Sequence, residues 1–409
     1  MIGGSRRVAG LDVGATMTRA IVAEADRTWE SDDGVRILGI GEAPTEGVRD
    51  KVVTNIEAAT ESIRTAVQDA ERMAGVEVDG LYVGIAGSHI EAVGSLGVVA
   101  VDAAEVSGDD IQRAHEVARA VVIPPDRELV HAIPLDYALD GRRGIQDPEG
   151  MTATRLETEV CLITAATPAC DNLRKAVSRS GFRVGELVLG SLASNLAVLG
   201  DAQREAGVAL VEVGGSATEV IVFQAGRIRF LSSLPWGACT VTSDIVKGLG
   251  VSSREAERLK EEHGSARARD VGGAEMLEVP GPVPGGTRRV SRELLSHIIE
   301  QRLDEIFGLV YEDLDERGLL DALEAGVVLT GGGSEQDGIL DLAQDVFNRP
   351  IQVGVPGRDL AGIVDPVRSP RHAAAVGLAR YGALRRRDQA TGVAGRTLHK
   401  VADWLKDFF

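Results

Sequence analysis

From Val208 an apolar run reaches Glu212, small residues fill 214–217, and an alternating apolar run resumes at Thr218. That pattern predicts a strand, a tight turn and a second strand. The same pattern stands 200 positions earlier, over residues 8–23. Without gaps, Asp12 falls on Glu212, Val13 on Val213, Gly14 on Gly214, and Ile21-Val22 on Ile221-Val222. Self-similarity at so long a period suggests a duplicated domain rather than a solenoid.

The rest of the pattern fills in around the two hairpins. Residues 35–43 predict a strand, 47–53 a turn, 54–75 a helix with Ile56, Ile63, Val67 and Met73 at helical spacing, and 81–85 a buried strand. Over 88–156 the texture changes to strand 93–101, helix 109–120 with Asp109 as a candidate cap, strand 128–137 and a polar, turn-rich loop at 141–150. Strand 157–165 is then expected to rejoin the first domain, so 87–157 reads as a small inserted α+β domain. Pro168 sits in the first turn of helix 167–180, where its missing N–H does no harm. A strand ending at 187–190 and a small-residue helix at 191–199 lead to the second hairpin. Strand 227–234 and helices 240–249 and 253–262 follow, then a turn-rich stretch, 266–286, ending in a short hairpin. The long helix 291–317 turns Leu294, Leu295, Ile298, Ile299, Leu303, Ile306 and Val310 inward and Arg292, Glu300 and Arg302 outward. Residues 327–347 predict a strand, a glycine turn and a helix opened by Ser334. Helix 370–384 closes the body, and 385–394 reads as a linker.

The last fifteen residues, 395–409, differ from the rest. Leu398, Val401, Trp404, Leu405, Phe408 and Phe409 fall largely on one helical face, with Arg396, Lys400 and Lys406 among them. Aromatic residues are only 3% of the chain, yet three lie in this stretch. Such a stretch has the character of a helix lying in a membrane interface, a core-packing or partner-binding helix being the alternative. No apolar run approaches the roughly 20 residues a spanning helix needs, and the short start at 1–7 leads straight into a strand, unlike a signal peptide. With 409 residues the chain can hold two to four domains. A net charge of -18 argues against nucleic acid as a partner. Cys161, Cys170 and Cys239 have no metal or redox spacing and fit a reducing, cytoplasmic setting.

The chemistry lies in the turns. Small residues at Gly14, Ala15 and Thr16, and at Gly214, Gly215, Ser216 and Ala217, let backbone N–H groups approach an anion closely. Asp12 and Glu212 would repel a phosphate directly, but each can hold a hydrated magnesium ion beside it. A third glycine turn, Gly331, Gly332 and Gly333 before Ser334, would let a nucleotide approach backbone. From spacing alone, Glu257 and Lys260, three apart on one helix, read as a solvated ion pair.

The order Asp-x-Gly hairpin, Gly-Gly hairpin, Thr330-Gly-Gly-Gly resembles the actin, sugar-kinase and chaperone ATPase superfamily. Within it the chain resembles the FtsA family of bacterial cell-division proteins over nearly its whole length, supported by 131–137, 241–245, 257–264, 327–333 and the C-terminus. The resemblance implies an α/β, actin-like fold of two ribonuclease-H-like halves around a nucleotide cleft, with an inserted subdomain (1C, SHS2-type) and a C-terminal amphipathic helix. It divides the chain into subdomain 1A (1–86, 158–190 and part of 371–384), 1C (87–157), 2A (191–239 and 325–370) and 2B (240–324). It also implies ATP and Mg2+ as cofactors, head-to-tail filaments and membrane lipid at the tail. The FtsZ C-terminal peptide would meet 2B near Arg292 and Arg302, other division proteins would meet 1C, and Glu257 and Lys260 would contact the purine and ribose. The implied location is the cytoplasmic face of the membrane at the division site. Family members commonly carry Asp-Ile-Gly-Gly-Gly-Thr at the second loop, where this chain has Glu212, Ser216 and Ala217, and a loop-one lysine where it has Met17. These departures imply weaker nucleotide binding, and no residue stands out to orient a hydrolytic water. A PilM-like pilus scaffold and a small-molecule kinase of the same superfamily are the alternatives.

Overall fold

The computed structural model describes residues 7–25, 34–281 and 286–391, with side chains to 386. The amphipathic-helix reading of 395–409 lies outside these residues.

The two hairpins seed two sheets of like topology. The first runs Arg183–Leu189, Gly80–Ile85, Arg7–Val13, Met17–Ala25, Val35–Pro44, Leu360–Gly362. The second runs Arg227–Leu234, Thr218–Gln224, Val208–Val213, Val327–Thr330, Ile351–Val353. In each, the first hairpin strand pairs antiparallel with the second, the second antiparallel with the third, and the first parallel with a later strand. The 200-position offset holds at the level of register: Val13 pairs with Thr18 and Val213 with Thr218. The central strands are apolar on both faces because helices cover both, as parallel crossovers require. Val8 and Leu11 in one half, and Val208 to Val211 in the other, are at most 1% exposed.

Helix Ile56–Ala74 is capped by Asn55 and ended by Gly75 in a left-handed conformation. Of the spaced residues Ile63 and Val67 are buried as expected, Ile56 is half-buried and Met73 is exposed; the alanines Ala59, Ala66 and Ala70 complete the inward face. The small face lets strand Val35–Pro44 approach closely: a Cβ on Gly41 would stand 1.9 Å from the Ala66 carbonyl oxygen. The long helix is Arg292–Glu316, with Leu295, Ile299, Leu303, Ile306 and Val310 buried as expected and Leu294 exposed.

The insert is a four-stranded sheet ordered Ile90–Ala100, Arg155–Ala166, Arg127–Leu139, Arg142–Ile145, with helix Gly108–Arg119 packed on it. Three expectations are corrected here. Strand Arg155–Ala166 pairs with insert strands on both edges and does not join the first sheet, because its alternating faces are covered inside the insert. The loop at 141–150 contains the short strand Arg142–Ile145. The helix is capped by Ser107 in a reciprocal box with Asp110, not by Asp109.

Helices Gly190–Val198 and Ala373–Thr391 cross each other, the first packing on strands of both sheets and the second on the first sheet. Their backbones touch at Gly377, where a Cβ would stand 1.9 Å from the Ala193 carbonyl oxygen. The last helix runs to Thr391, so the expected linker is helical over 385–391. Arg385 there pairs with Glu186 of the first sheet.

Candidate functional site

Each hairpin closes with the same backbone bond: Gly14 N–H to the Met17 carbonyl (3.0 Å) and Gly214 N–H to the Ala217 carbonyl (2.9 Å). The two turns face each other. A Cβ on Gly215 would stand 2.8 Å from Ala15 Cβ, so the turns are in van der Waals contact. A phosphoryl group between them therefore requires the halves to part about the crossing helices. Ser216 Oγ is buried at the turn without a hydrogen-bond partner, a hydroxyl suited to an anion. Thr16 is exposed, and its carbonyl accepts the Thr45 N–H at 2.9 Å.

Beneath the turns stands a charge cluster that sequence spacing only half disclosed. Lys51 Nζ donates to Asp12 Oδ1 (3.4 Å) and to the Val13 carbonyl (3.3 Å). Glu212 accepts from Ser194 Oγ at 2.7 Å. Glu219, paired across the hairpin from Glu212, lies on the same face and is 3% exposed. Burial pulls the Lys51 ammonium down, but Asp12, Glu212 and Glu219 together outweigh it and hold its pKa above the ordinary value. Burial first, and then a neighbouring carboxylate, raises the acids: Glu212, beside Asp12, to about 7, and Glu219, beside Glu212, to about 8. Lys51 thus brings a cation from a distant turn to the end of the first hairpin strand. Its turn joins the short strands Val48–Arg49 and Val52–Val53, and both central residues are left-handed, Asp50 at φ 49° and Lys51 at φ 63°. Such turns favour Asn-Gly; holding two other side chains there costs roughly 1–2 kcal/mol each. The strained turn aims the lysine into the cluster.

These raised acids make stability fall as pH rises. Between the ordinary value of 4.5 and the folded values, the native chain holds protons that the unfolded chain has released. Urea unfolding should therefore show a loss on the order of 2 kcal/mol from pH 6 to pH 8. Glu219→Gln should flatten that slope; an unchanged slope would place the protons elsewhere.

The third glycine turn lies against the second hairpin. A Cβ on Gly331 would stand 2.6 Å from the Val213 carbonyl oxygen, and one on Gly333 2.4 Å from Val213 Cγ1. Gly332 has room: its nearest neighbour would be Arg371 Cβ at 3.9 Å. Ser334 does not open the following helix. It sits in the 3-10 turn Gly332–Glu335 with Oγ bonded to the Gly331 carbonyl, and helix Ile339–Phe347 begins after Gly338. Left-handed Gly338 breaks the chain direction between them, which periodicity does not reveal.

Lys260 is 7% exposed and donates to Glu257 (2.8 Å), Thr242 Oγ1 (2.9 Å) and the Ala238 carbonyl (3.3 Å). It is a clamp between helices Ala238–Leu249 and Ser253–His263 and not a solvated partner. The first of them meets the second turn directly, since Ala238 and Cys239 N–H bond to the Gly214 and Gly215 carbonyls. Away from the cleft, Arg292 bonds the His263 carbonyl and Glu275 (both 2.8 Å), and Arg302 bonds Asp244 at 2.6 Å. The sequence-selected residues around 12–16, 212–217, 257–260 and 331–334 therefore gather around the two facing turns. Lys51 and Glu219 join them unannounced. Among the described residues no cluster of three or more His, Cys, Asp or Glu could hold a metal ion, and no helix is long and apolar enough to cross a membrane.

The chain is 37% identical to the cell division protein FtsA of Pseudomonas aeruginosa over 383 residues, 94% of this chain and 91% of that one. It is 32% identical to FtsA of Escherichia coli K12 over 98% of this chain and 96% of that one. The chain belongs to the FtsA family. The profile of the cell division protein FtsA matches residues 209–377, and that of the SHS2 domain inserted in FtsA matches 87–164. The latter span takes in most of strand Arg155–Ala166, as the sheet does.

Solved structures show the actin-like fold of this FtsA-family chain. A PilM–PilN type IV pilus biogenesis complex aligns with TM-score 0.66 at 15% identity, covering 92% of this chain and 98% of the other. MreB5 of Spiroplasma citri bound to AMPPNP aligns with TM-score 0.56 at 13% identity, covering 95% and 100%. The FtsA relatives, at more than twice the identity of the PilM complex, decide between the division and pilus alternatives in favour of cell division.

Proposed function

We propose that this cell-division protein binds ATP with Mg2+ between its two halves, polymerises head to tail on the cytoplasmic face of the membrane, and anchors FtsZ filaments there. The observation that carries the reading is the pair of matching turns in contact above Asp12, Glu212 and Lys51. Ser216 Oγ and the turn N–H groups would receive phosphate oxygens, and Lys51 is the cation within reach of the first turn. Bound magnesium would supply charge neutralisation beside the phosphates, with Asp12 and Glu212 holding its waters once Lys51 turns from them. Glu257, on the exposed side of the Lys260 clamp, would meet the nucleoside.

The membrane contact belongs to 395–409. One such helix anchors weakly, since about five large side chains gain at most roughly 1.5–3 kcal/mol each before the cost of ordering the tail. Filaments present many tails at once and raise the effective concentration. In 2B, an acidic FtsZ tail peptide would exchange with Glu275 and Asp244 for the guanidinium groups of Arg292 and Arg302. The insert, closing at Ala166, offers its outer face to other division proteins.

Liposome co-sedimentation of the full chain and of one ending at residue 395 tests the membrane step. The full chain should pellet with vesicles, more so with ATP and Mg2+, and the shortened chain should stay in the supernatant. Equal pelleting of both would sink the anchoring role.

A further inference from the structure

Gly332 leaves a bare face on the third glycine turn, and one side chain stands beside it. A Cβ placed on Gly332 would meet nothing nearer than Arg371 Cβ, at 3.9 Å. In a 3-10 turn residues three apart eclipse each other, so Glu335 rises on the same side of Gly332–Glu335 as that bare face. Glu335 holds Arg371 by one edge: Nε donates to Glu335 Oε2 at 2.8 Å, and Nη2 donates to the same oxygen. Ser369 Oγ donates to the other carboxylate oxygen. Among the described residues Arg371 Nη1 has no hydrogen-bond partner, and neither face of the guanidinium meets an aromatic ring. About half of the side chain is open to solvent.

The backbone under Arg371 is fixed from both sides. The Pro370 carbonyl accepts the Gly331 N–H at 3.2 Å and the Thr330 hydroxyl at 3.4 Å. His372, next along, has Nε2 3.0 Å from Glu42 Oε1 of the first sheet. The guanidinium is therefore placed in advance, and a ligand meeting it has little side-chain freedom to freeze. Beyond its partner Glu335, the charges of Glu261 and then Glu42 act on it. Glu261 lies four residues after Glu257 on helix Ser253–His263, so the two share a face. Arg371 thus belongs with the face assigned above to the nucleoside. Three carboxylates around one guanidinium disfavour a further anion, so a phosphate does not suit this place. A neutral, flat, electron-rich ring does, because a cation with an open face attracts the negative face of a π-system.

We propose that the guanidinium of Arg371, held by one edge by Glu335, is the platform on which the purine of the bound nucleotide stacks, beside the bare backbone of Gly332. This rests on the nucleotide reading above and adds to it the group that recognises the base. Guanidinium planes stack on base faces, and the contact depends on the plane as well as the charge. A lysine ammonium in the same place would keep the attraction and lose the stack. No bond forms or breaks, and no proton moves.

The test is calorimetric titration of the full chain, in excess Mg2+, with ATP and with inorganic tripolyphosphate, which carries the phosphates and no base. Arg371→Ala and Arg371→Lys should each lower the affinity for ATP by roughly tenfold and leave that for tripolyphosphate unchanged. Arg371→Lys keeps the charge and removes the plane, so it separates stacking from simple attraction, and it serves should Arg371→Ala perturb folding. Equal losses for ATP and tripolyphosphate would make Arg371 a phosphate or folding residue and overturn the proposal. Full ATP affinity in either variant would overturn it as well, and each of these results leaves the nucleotide reading standing. A parent chain that does not bind ATP would overturn the nucleotide reading itself and this inference with it.

Discussion

Gly332→Arg is expected to abolish ATP binding while leaving the chain folded. The three glycines of this turn are not equivalent. Gly331 has φ 82° and would drive a Cβ into the Val213 carbonyl, and Gly333 would drive one into the Val213 side chain. A side chain at either should strain the core by about 1–3 kcal/mol. Gly332 has no such neighbour, so arginine can leave the backbone in place and project into the cleft. There it adds bulk where backbone must approach a nucleotide, beside Arg371, which already pairs with Glu335. Calorimetric titration with ATP and Mg2+ should show affinity lowered on the order of a hundredfold or more. Unfolding of the apo chain should move by no more than about 1 kcal/mol. An unchanged ATP isotherm would mean that the nucleotide does not lie against this turn.

Replacing the lysine of the strained turn should be the most damaging single change in the cleft. Lys51→Met keeps most of the stem and removes the ammonium bonded to Asp12 and acting on Glu212 and Glu219. Breaking a buried charge arrangement from one side costs roughly 3–5 kcal/mol, because the remaining charges lose their compensation. The sign with pH follows. Lysine itself stays charged well past neutrality, since its folded pKa is raised, so it contributes no slope between pH 6 and 8. The acids do: without the ammonium their pKa values rise further, and the folded state takes up protons more readily at low pH. Urea unfolding of Lys51→Met should therefore lie closer to the parent chain at pH 6 than at pH 8, and ATP affinity should drop as well. Equal stability of variant and parent at pH 8 would show that the cluster is not held by this charge.

Much of the frame was legible in the chain. Twin hairpins, their 200-position offset and the equivalence of positions 12 and 212 follow from runs of apolar residues meeting small ones, and register pairs them as expected. The insert showed as a change of texture, because a β-rich, separately covered sheet has its own periodicity. Its last strand was misassigned, since alternation identifies a strand but not the sheet it joins. Leu294 was counted inward for being large and well spaced, and Met73 shared its helix's apolar spacing, yet both are exposed, because the helix faces in contact are set by what lies opposite.

What the chain settled by itself, then, is whatever depends on neighbours a few residues apart: strands, turns, most helices and the repeat that marks two halves. Tertiary structure alone decided that Lys51, 39 residues from Asp12, is the cation beneath both turns, that Glu219 is buried beside Glu212, and that Lys260 clamps two helices. These are meetings between segments remote in sequence, and burial, which sets their charge, is a property of the packed whole.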